Sequence, residues 1–329
     1  MTATQVHTET IIEALRLACR APSLHNSQPW RWVLTDRTVE LYADPERLVR
    51  GTDSTGREAL ISCGAVLHHF RVALGAAGWG TTVTRFPDPA DGRHLASVQI
   101  STAQPVTDEQ RQCADAILAR HTDRLPFAEP PGAEALMRTL SAVAGSSTVR
   151  LDVLGDDLHG FVAQTSHLTE ALRGYDAEYH AELIWWTDDF VADDGIPRAS
   201  LVSAVESDRV QIGRGFPVIE RSERRTEISD DRATILVLST LDDSPESVLR
   251  CGEALSAVLL DATAAGLATC TLTHVTEIPE GRDAVASLLG GGALPQALIR
   301  VGEAPALASP PPPTPRRPIH HVLRVERGR

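Results

Sequence analysis

The chain has no lysine: all 31 basic residues among its 329 are arginines. Every fixed cation is therefore a planar guanidinium, the side chain that takes phosphate or carboxylate in a bidentate fork. An excess of basic charge is lacking too. The formal net charge is −13, which argues against a general nucleic-acid binder, because a phosphate backbone requires a basic face. It leaves room for a local basic pocket that holds one phosphate. No apolar run reads as long enough to cross a bilayer, and Met1 to Thr10 does not read as a signal peptide. A cytoplasmic protein with neither membrane nor nucleic-acid partners is expected. The cysteines, Cys19, Cys63, Cys113, Cys251 and Cys270, form no Cys-x-x-Cys pair. Most sit in apolar helical runs, the setting of reduced, buried thiols. The pairs His68-His69 and His320-His321 are adjacent rather than spaced for one helix face, so no metal site is expected.

What is present is organised around Ala21-Pro22-Ser23-Leu24-His25-Asn26-Ser27-Gln28-Pro29-Trp30-Arg31-Trp32. Before it, Ile11, Ile12, Leu15 and Ala18 recur at helical spacing. Pro22 disfavours a helical residue before it, so the helix ends near Cys19 to Ala21. After it, Val33-Leu34 begins a strand. The loop between presents Ser23, Asn26, Ser27 and Gln28, hydroxyls and amides that both donate and accept. Such a set suits a flat heterocycle edged with carbonyls and ring nitrogens. The same residues also serve as turn formers, and composition alone favours that reading.

Along the chain, Trp32 to Leu34 and Val39 to Tyr42 read as a hairpin around Asp36-Arg37. Arg57 to Gly78 is a long helix striped by Leu60, Ile61, Gly64, Leu67, Val72 and Leu74. Strands follow at Thr82 to Arg85 and Leu95 to Ile100, then helices at Asp108 to Arg120 and Ala133 to Ala144. Arg120-His121-Thr122-Asp123-Arg124 puts two arginines four apart around a hydroxyl. Arginines at a helix end complement its dipole, and alone that is the simpler account. Next come a strand, Val149 to Leu154, a helix, Asp156 to Leu172, and an aromatic helix, Tyr175 to Phe190. Arg198 to Arg225 is irregular, and loops of that length are lids, binding loops or mobile segments. Thr234 to Ser239 and Leu298 to Val301 are strands around a helix at Glu246 to Ala265. The proline-rich tail, Pro310 to Pro318, is either a linker or a strap across the body.

An internal repeat is legible. Cys63-Gly64-Ala65-Val66-Leu67 is echoed 188 residues later by Cys251-Gly252-Glu253-Ala254-Leu255. In the same register Ala76-Ala77-Gly78 matches Ala264-Ala265-Gly266, and a strand follows each helix. Duplication accounts for this agreement. It predicts two related α+β halves, residues 1–107 and 108–329, whose long helices bury their stripes against each other.

The string from Pro22 to Trp30 resembles the Pro-Ser-x-x-Asn-x-Gln-Pro-Trp signature of the flavin-dependent nitroreductase family. Members of that family are α+β homodimers that bind flavin mononucleotide (FMN) at the subunit interface, with an Arg-x-Ser-x-Arg motif on the phosphate. Here the loop lies in the first half and the arginine motif in the second, as Arg120, Thr122 and Arg124. The chain is thus similar to the Acg-type branch, which looks like a nitroreductase dimer fused into one chain with a pseudo-two-fold axis. The resemblance implies FMN contacts from Ser23, Asn26 and Gln28, from Arg120, Thr122 and Arg124, and from Arg316 and Arg317 at the phosphate. It puts Thr271 to His274, Thr273 and His274 included, beside the reactive edge of the flavin. The family's flavin-edge lysine is missing. Residues of about 175–216 form a further segment, a lid that brings Trp185, Trp186 and Phe216 over the flavin, or else permanent core. The implied function is NAD(P)H-dependent reduction of a nitroaromatic, quinone or similar small-molecule acceptor. The alternative, also associated with the Acg branch, is storage of FMN with little turnover. A monomer with an internal pseudo-dimer is implied; a higher oligomer is not excluded.

Overall fold

The computed structural model describes residues 6–35, 38–103, 105–132, 140, 148–188 and 194–326. Helix α1 (Thr8–Ala18) buries Ile11, Ala14, Leu15 and Ala18 and ends just before Pro22. The hairpin β1 (Trp30–Thr35) and β2 (Thr38–Ala43) follows. Then come α2 (Arg57–Ala76), β3 (Trp79–Arg85) and β4 (His94–Ala103). Helix α3 (Asp108–Ala119) starts at a capping box in which Thr107 and Gln110 satisfy each other's backbone N–H groups. The expected helix over 133–144 and the hairpin turn at 36–37 lie outside the described residues, as does the expected helix end at Phe190.

The second half opens with β5 (Val149–Leu154), α4 (Asp156–Arg173), α5 (Ala177–Thr187) and the short α6 (Ala204–Asp208). It continues through β6 (Thr234–Thr240), α7 (Pro245–Ala264), β7 (Ala268–Leu272), α8 (Pro279–Leu289) and β8 (Leu294–Gly302). Helix α9 (Ile319–Val322) and strand β9 (Leu323–Glu326) close the chain. Strand β7, helix α8 and strand β9 were not legible in the residue pattern.

Two sheets result. The first has the order β3-β4-β2-β1-β9; the second, read from the matching edge, is β7-β8-β6-β5. Among the described strands the pairings are antiparallel except β9 on β1, where the tail, having crossed the body, returns to the first sheet. The strand β9 sits where the second sheet has no described counterpart.

Helices α2 and α7 pack between the sheets at a crossing set by two glycines. A Cβ on Gly64 would lie 2.0 Å from the Leu249 carbonyl oxygen, and one on Gly252 would lie 2.1 Å from that of Ile61. A shift of 188 residues turns the first contact into the second. His68 hydrogen-bonds through Nδ1 to Ser256 Oγ, again 188 residues on. Contacts that exchange in this way are those of an isologous interface. The fold is α+β with two such halves.

Two expectations are corrected. Helix α2 is long and apolar enough to cross a membrane by composition, yet 67% of its most apolar window is buried in the body. The segment peculiar to the second half is also larger than 175–216. Strands β5 and β6 pair directly, as β1 and β2 do, but residues 155–233 intervene where the first half has two.

Candidate cofactor site

The loop after α1 is held in an unusual backbone. His25, Asn26 and Gln28 have φ of 49°, 59° and 52°, the left-handed region that non-glycine residues seldom occupy. Side chains fix it there. Ser23 Oγ accepts the Gln28 N–H at 3.0 Å, and Ser62 Oγ on α2 accepts that of Leu24 at 3.2 Å. Gln28 Oε1 accepts the Arg317 N–H at 2.9 Å, pinning the tail to the loop. Asn26 donates through Nδ2 to Gly195 O at 2.9 Å and to Pro315 O at 3.1 Å, joining the inserted segment and the tail at one amide.

Between these segments lies a cavity of about 530 Å³. Its wall is built from both halves. Ser23 to Asn26 come from the first loop, Glu58 and Ser62 from α2, and Arg120, Thr122 and Arg124 from the chain after α3. The insertion adds Arg214 and Phe216, the end of β7 adds Cys270 to Thr273, and the tail adds Pro310 to Thr314 and Arg316.

One feature of the wall is electrostatically incomplete. Arg20, Arg120 and Arg316 converge on it with no carboxylate partner among the described residues. Arg316 Nη2 donates to the Arg20 carbonyl at 2.9 Å, and Arg120 Nη2 reaches the same oxygen at 3.4 Å. The Nε atoms of all three are buried and unpartnered. Burial, followed by the neighbouring arginines, pushes Arg316 down to about 9 and Arg120 down to about 10. Like charges gathered at a partly buried wall are stabilised by an anion beside them. Arg124 stands apart from this triad, its guanidinium 4.9 Å from the centre of the Phe216 ring.

Arg214 is matched instead. It donates to Tyr179 Oη, Thr273 Oγ1 and Glu277 Oε2, each at 3.1 Å, and makes a second contact to Glu277 Oε1. Thr273 in turn donates to Glu277 at 2.8 Å. His25 is buried with both ring nitrogens unpartnered, its ring edge-on to Phe216 at 5.8 Å. Burial first, then Arg214 and Arg124, hold its pKa well below the usual histidine range.

Of the residues singled out in the sequence, Ser23, Asn26, Arg120, Thr122, Arg124, Thr273, Arg316 and Phe216 are brought together on the cavity wall. The others are placed elsewhere. Gln28 is buried beneath the tail. Arg317 donates to Gln28 O and faces Asp44 at 3.4 Å, because Asp44 offers a buried carboxylate there. His274 lies behind the wall, its Nε2 2.7 Å from Ser166 Oγ. Trp185 is 63% exposed, and Trp186 is buried under the Arg47 guanidinium, so neither tryptophan lines the cavity. Sequence reasoning missed Arg20, His25, Glu58 and Arg214. Arg20 lies just ahead of the loop motif and His25 at one of its unspecified positions; Glu58 and Arg214 carry no local signal.

No known family profile matches the chain. Acg of Mycobacterium tuberculosis H37Rv, which bears the name of an NAD(P)H nitroreductase, is 58% identical over 98% of this chain and 97% of its own. A second protein of that organism with a nitroreductase name is 41% identical over 96% of this chain and 91% of its own. Among solved structures, an FMN-bound nitroreductase of Desulfitobacterium hafniense aligns with 63% of this chain and 94% of its own, at 12% identity and a TM-score of 0.36. The near full-length identity to Acg, together with the loop motif and the two-half fold, shows that the chain belongs to the Acg-type family of nitroreductase-like proteins.

Proposed function

We propose that the chain binds FMN in this cavity and acts as an NAD(P)H-dependent oxidoreductase on a nitroaromatic, quinone or similar small acceptor. The observation that carries the reading is the triad of buried Arg120 and half-buried Arg20 and Arg316, three cations with no carboxylate partner among the described residues at one cavity. A phosphate monoester supplies the missing anion and accepts from several guanidinium N–H groups. Ser23, Asn26, Thr122 and Thr273 supply neutral donors and acceptors for the rest of such a molecule. FMN, when bound, provides the electron-transfer chemistry between nicotinamide and acceptor. The protein's part is to hold the cofactor, to exclude water beneath the insertion and tail, and to shape the acceptor space beside Phe216. The names of the relatives, NAD(P)H nitroreductases, support the reductant and reaction class.

Storage of FMN is the second reading, and one observation favours it. Asn26 ties both the insertion and the tail across the cavity, which slows exchange with solvent. Anaerobic addition of NADPH to the FMN-loaded protein separates the two. Rapid bleaching of the flavin, reversed by a quinone, is expected of the oxidoreductase. An oxidised flavin that no nicotinamide bleaches would leave only storage. A cytoplasmic monomer with one site assembled from its two halves completes the proposal.

A further inference from the structure

The wall of the cavity also carries an acid that the cofactor contacts do not use. Glu58 stands in the first turn of α2 and lines the cavity while being only 3% exposed. Its neighbour is a second buried carboxyl, that of Asp53, just ahead of α2. Asp53 is 4% exposed; its Oδ2 accepts the Ala59 N–H at 2.9 Å, and its Oδ1 is buried without a partner. Two neighbouring buried carboxyl groups cannot both be ionised at little cost, and one shared proton would lower that cost.

The charges around the pair agree. Arg57 contacts Glu58 and donates through its two Nη atoms to Gln296 and Thr276 as well. One cation beside two carboxyls and one proton is a neutral group; without the proton it is a buried net anion. The next carboxylate felt by Glu58 is Glu277. Arg57, which contacts Glu58, also donates to the Thr276 carbonyl, and Thr276 Oγ1 donates to the Thr273 carbonyl at 2.9 Å, which places Glu58 at the Thr273 end of the cavity. Burial first, opposed by Arg57 and reinforced by Asp53 and Glu277, holds the pKa of Glu58 well above the usual carboxylate range.

We propose that Glu58, paired with Asp53, is a proton donor to the acceptor reduced in this cavity. The inference rests on the oxidoreductase reading above. Reduction of a quinone to its hydroquinone by NAD(P)H consumes one proton. NAD(P)H is oxidised to NAD(P)+ and gives up the equivalent of a hydride. The quinone gains two electrons and two hydrogens, one from that hydride equivalent and one as the proton of the Glu58 carboxyl. The carboxylate left on Glu58 is reprotonated from water, with Asp53 and Arg57 holding the pair in place.

The test joins spectroscopy to kinetics on the full-length, FMN-loaded protein, with 1,4-benzoquinone as acceptor. Infrared difference spectra at pH 7 should show the C=O stretch of a protonated carboxyl that is absent in Glu58→Gln. Glu58→Gln should bind FMN as wild type does, yet reduce quinone about a hundredfold more slowly, the usual worth of a placed acid. Asp53→Asn donates to Glu58 and favours its ionised form, so the alkaline limb of the pH–rate profile should move to lower pH. If Glu58→Gln does not fold, the wild-type spectrum still decides. Absence of the protonated carboxyl from wild type, or full activity in Glu58→Gln, overturns the donor. A wild-type protein that reduces no quinone overturns the oxidoreductase reading, and the donor with it.

Discussion

At the scale of single residues, Asn26 is the most economical device in the molecule. Its one amide nitrogen holds segments that lie 169 and 289 residues away in sequence. A hydrogen bond of this kind contributes about 0.5–1.5 kcal/mol, so the two together hold the cover of the cavity by about 1–3 kcal/mol. Asn26→Ala should therefore release bound FMN roughly tenfold faster. Stopped-flow displacement of FMN measures this, and an unchanged release rate would show that the clasp does not govern exit. The same residue shows what a sequence does and does not disclose. Asn26, Arg120, Thr122 and Arg124 were legible as site residues because each belongs to a short motif. The partner of Gln28 was not, because Arg317 reaches it only after the tail has crossed the body. Arg214 had no signature at all: an arginine between two glycines in an irregular stretch becomes a wall residue only through Glu277, Tyr179 and Thr273.

At the scale of elements, the crossing of α2 and α7 decides how the halves meet. The 188-residue echo around Cys63 and Cys251 was legible because both helices need glycine at the same turn. At Gly64 and Gly252 the facing atoms are backbone, which cannot step aside as a side chain can. Gly64→Ala and Gly252→Ala should each destabilise the fold by about 3 kcal/mol. The double variant should cost less than the sum, since both substitutions force the same two helices apart. Urea unfolding measures both effects. Stability within about 0.5 kcal/mol of wild type in either single variant would contradict the close crossing. Other elements escaped the pattern for identifiable reasons. Strand β7 is five residues of mixed polarity, Ala268–Leu272, and becomes a strand by pairing with β8. Strand β9 is four residues long and exists because β1 offers a free edge. The tryptophans of α5 left two readings open in the sequence, a cofactor cover or permanent core; one ring packs under Arg47 and the other faces solvent.

At the scale of the whole molecule, two halves of like strand order contribute different segments to one cavity. The loop motif comes from the first half, Arg120 to Arg124 and the end of β7 from the second, and Arg316 from the returning tail. The parted motifs leave one complete set, which predicts one FMN per chain. The arginine triad should also discriminate: on the proposal that it takes the phosphate, its loss should matter only to a ligand that has one. The measurement that tests this account most directly is a fluorescence titration of apoprotein with FMN and with riboflavin, for wild type and for Arg120→Ala. The account predicts saturation at one FMN per chain. It also predicts a ten- to hundredfold loss of FMN affinity in the variant, the worth of one charge-assisted hydrogen bond of about 1.5–3 kcal/mol, and little change for riboflavin. Two equivalents of FMN per chain, or FMN held by Arg120→Ala as tightly as by wild type, would contradict it.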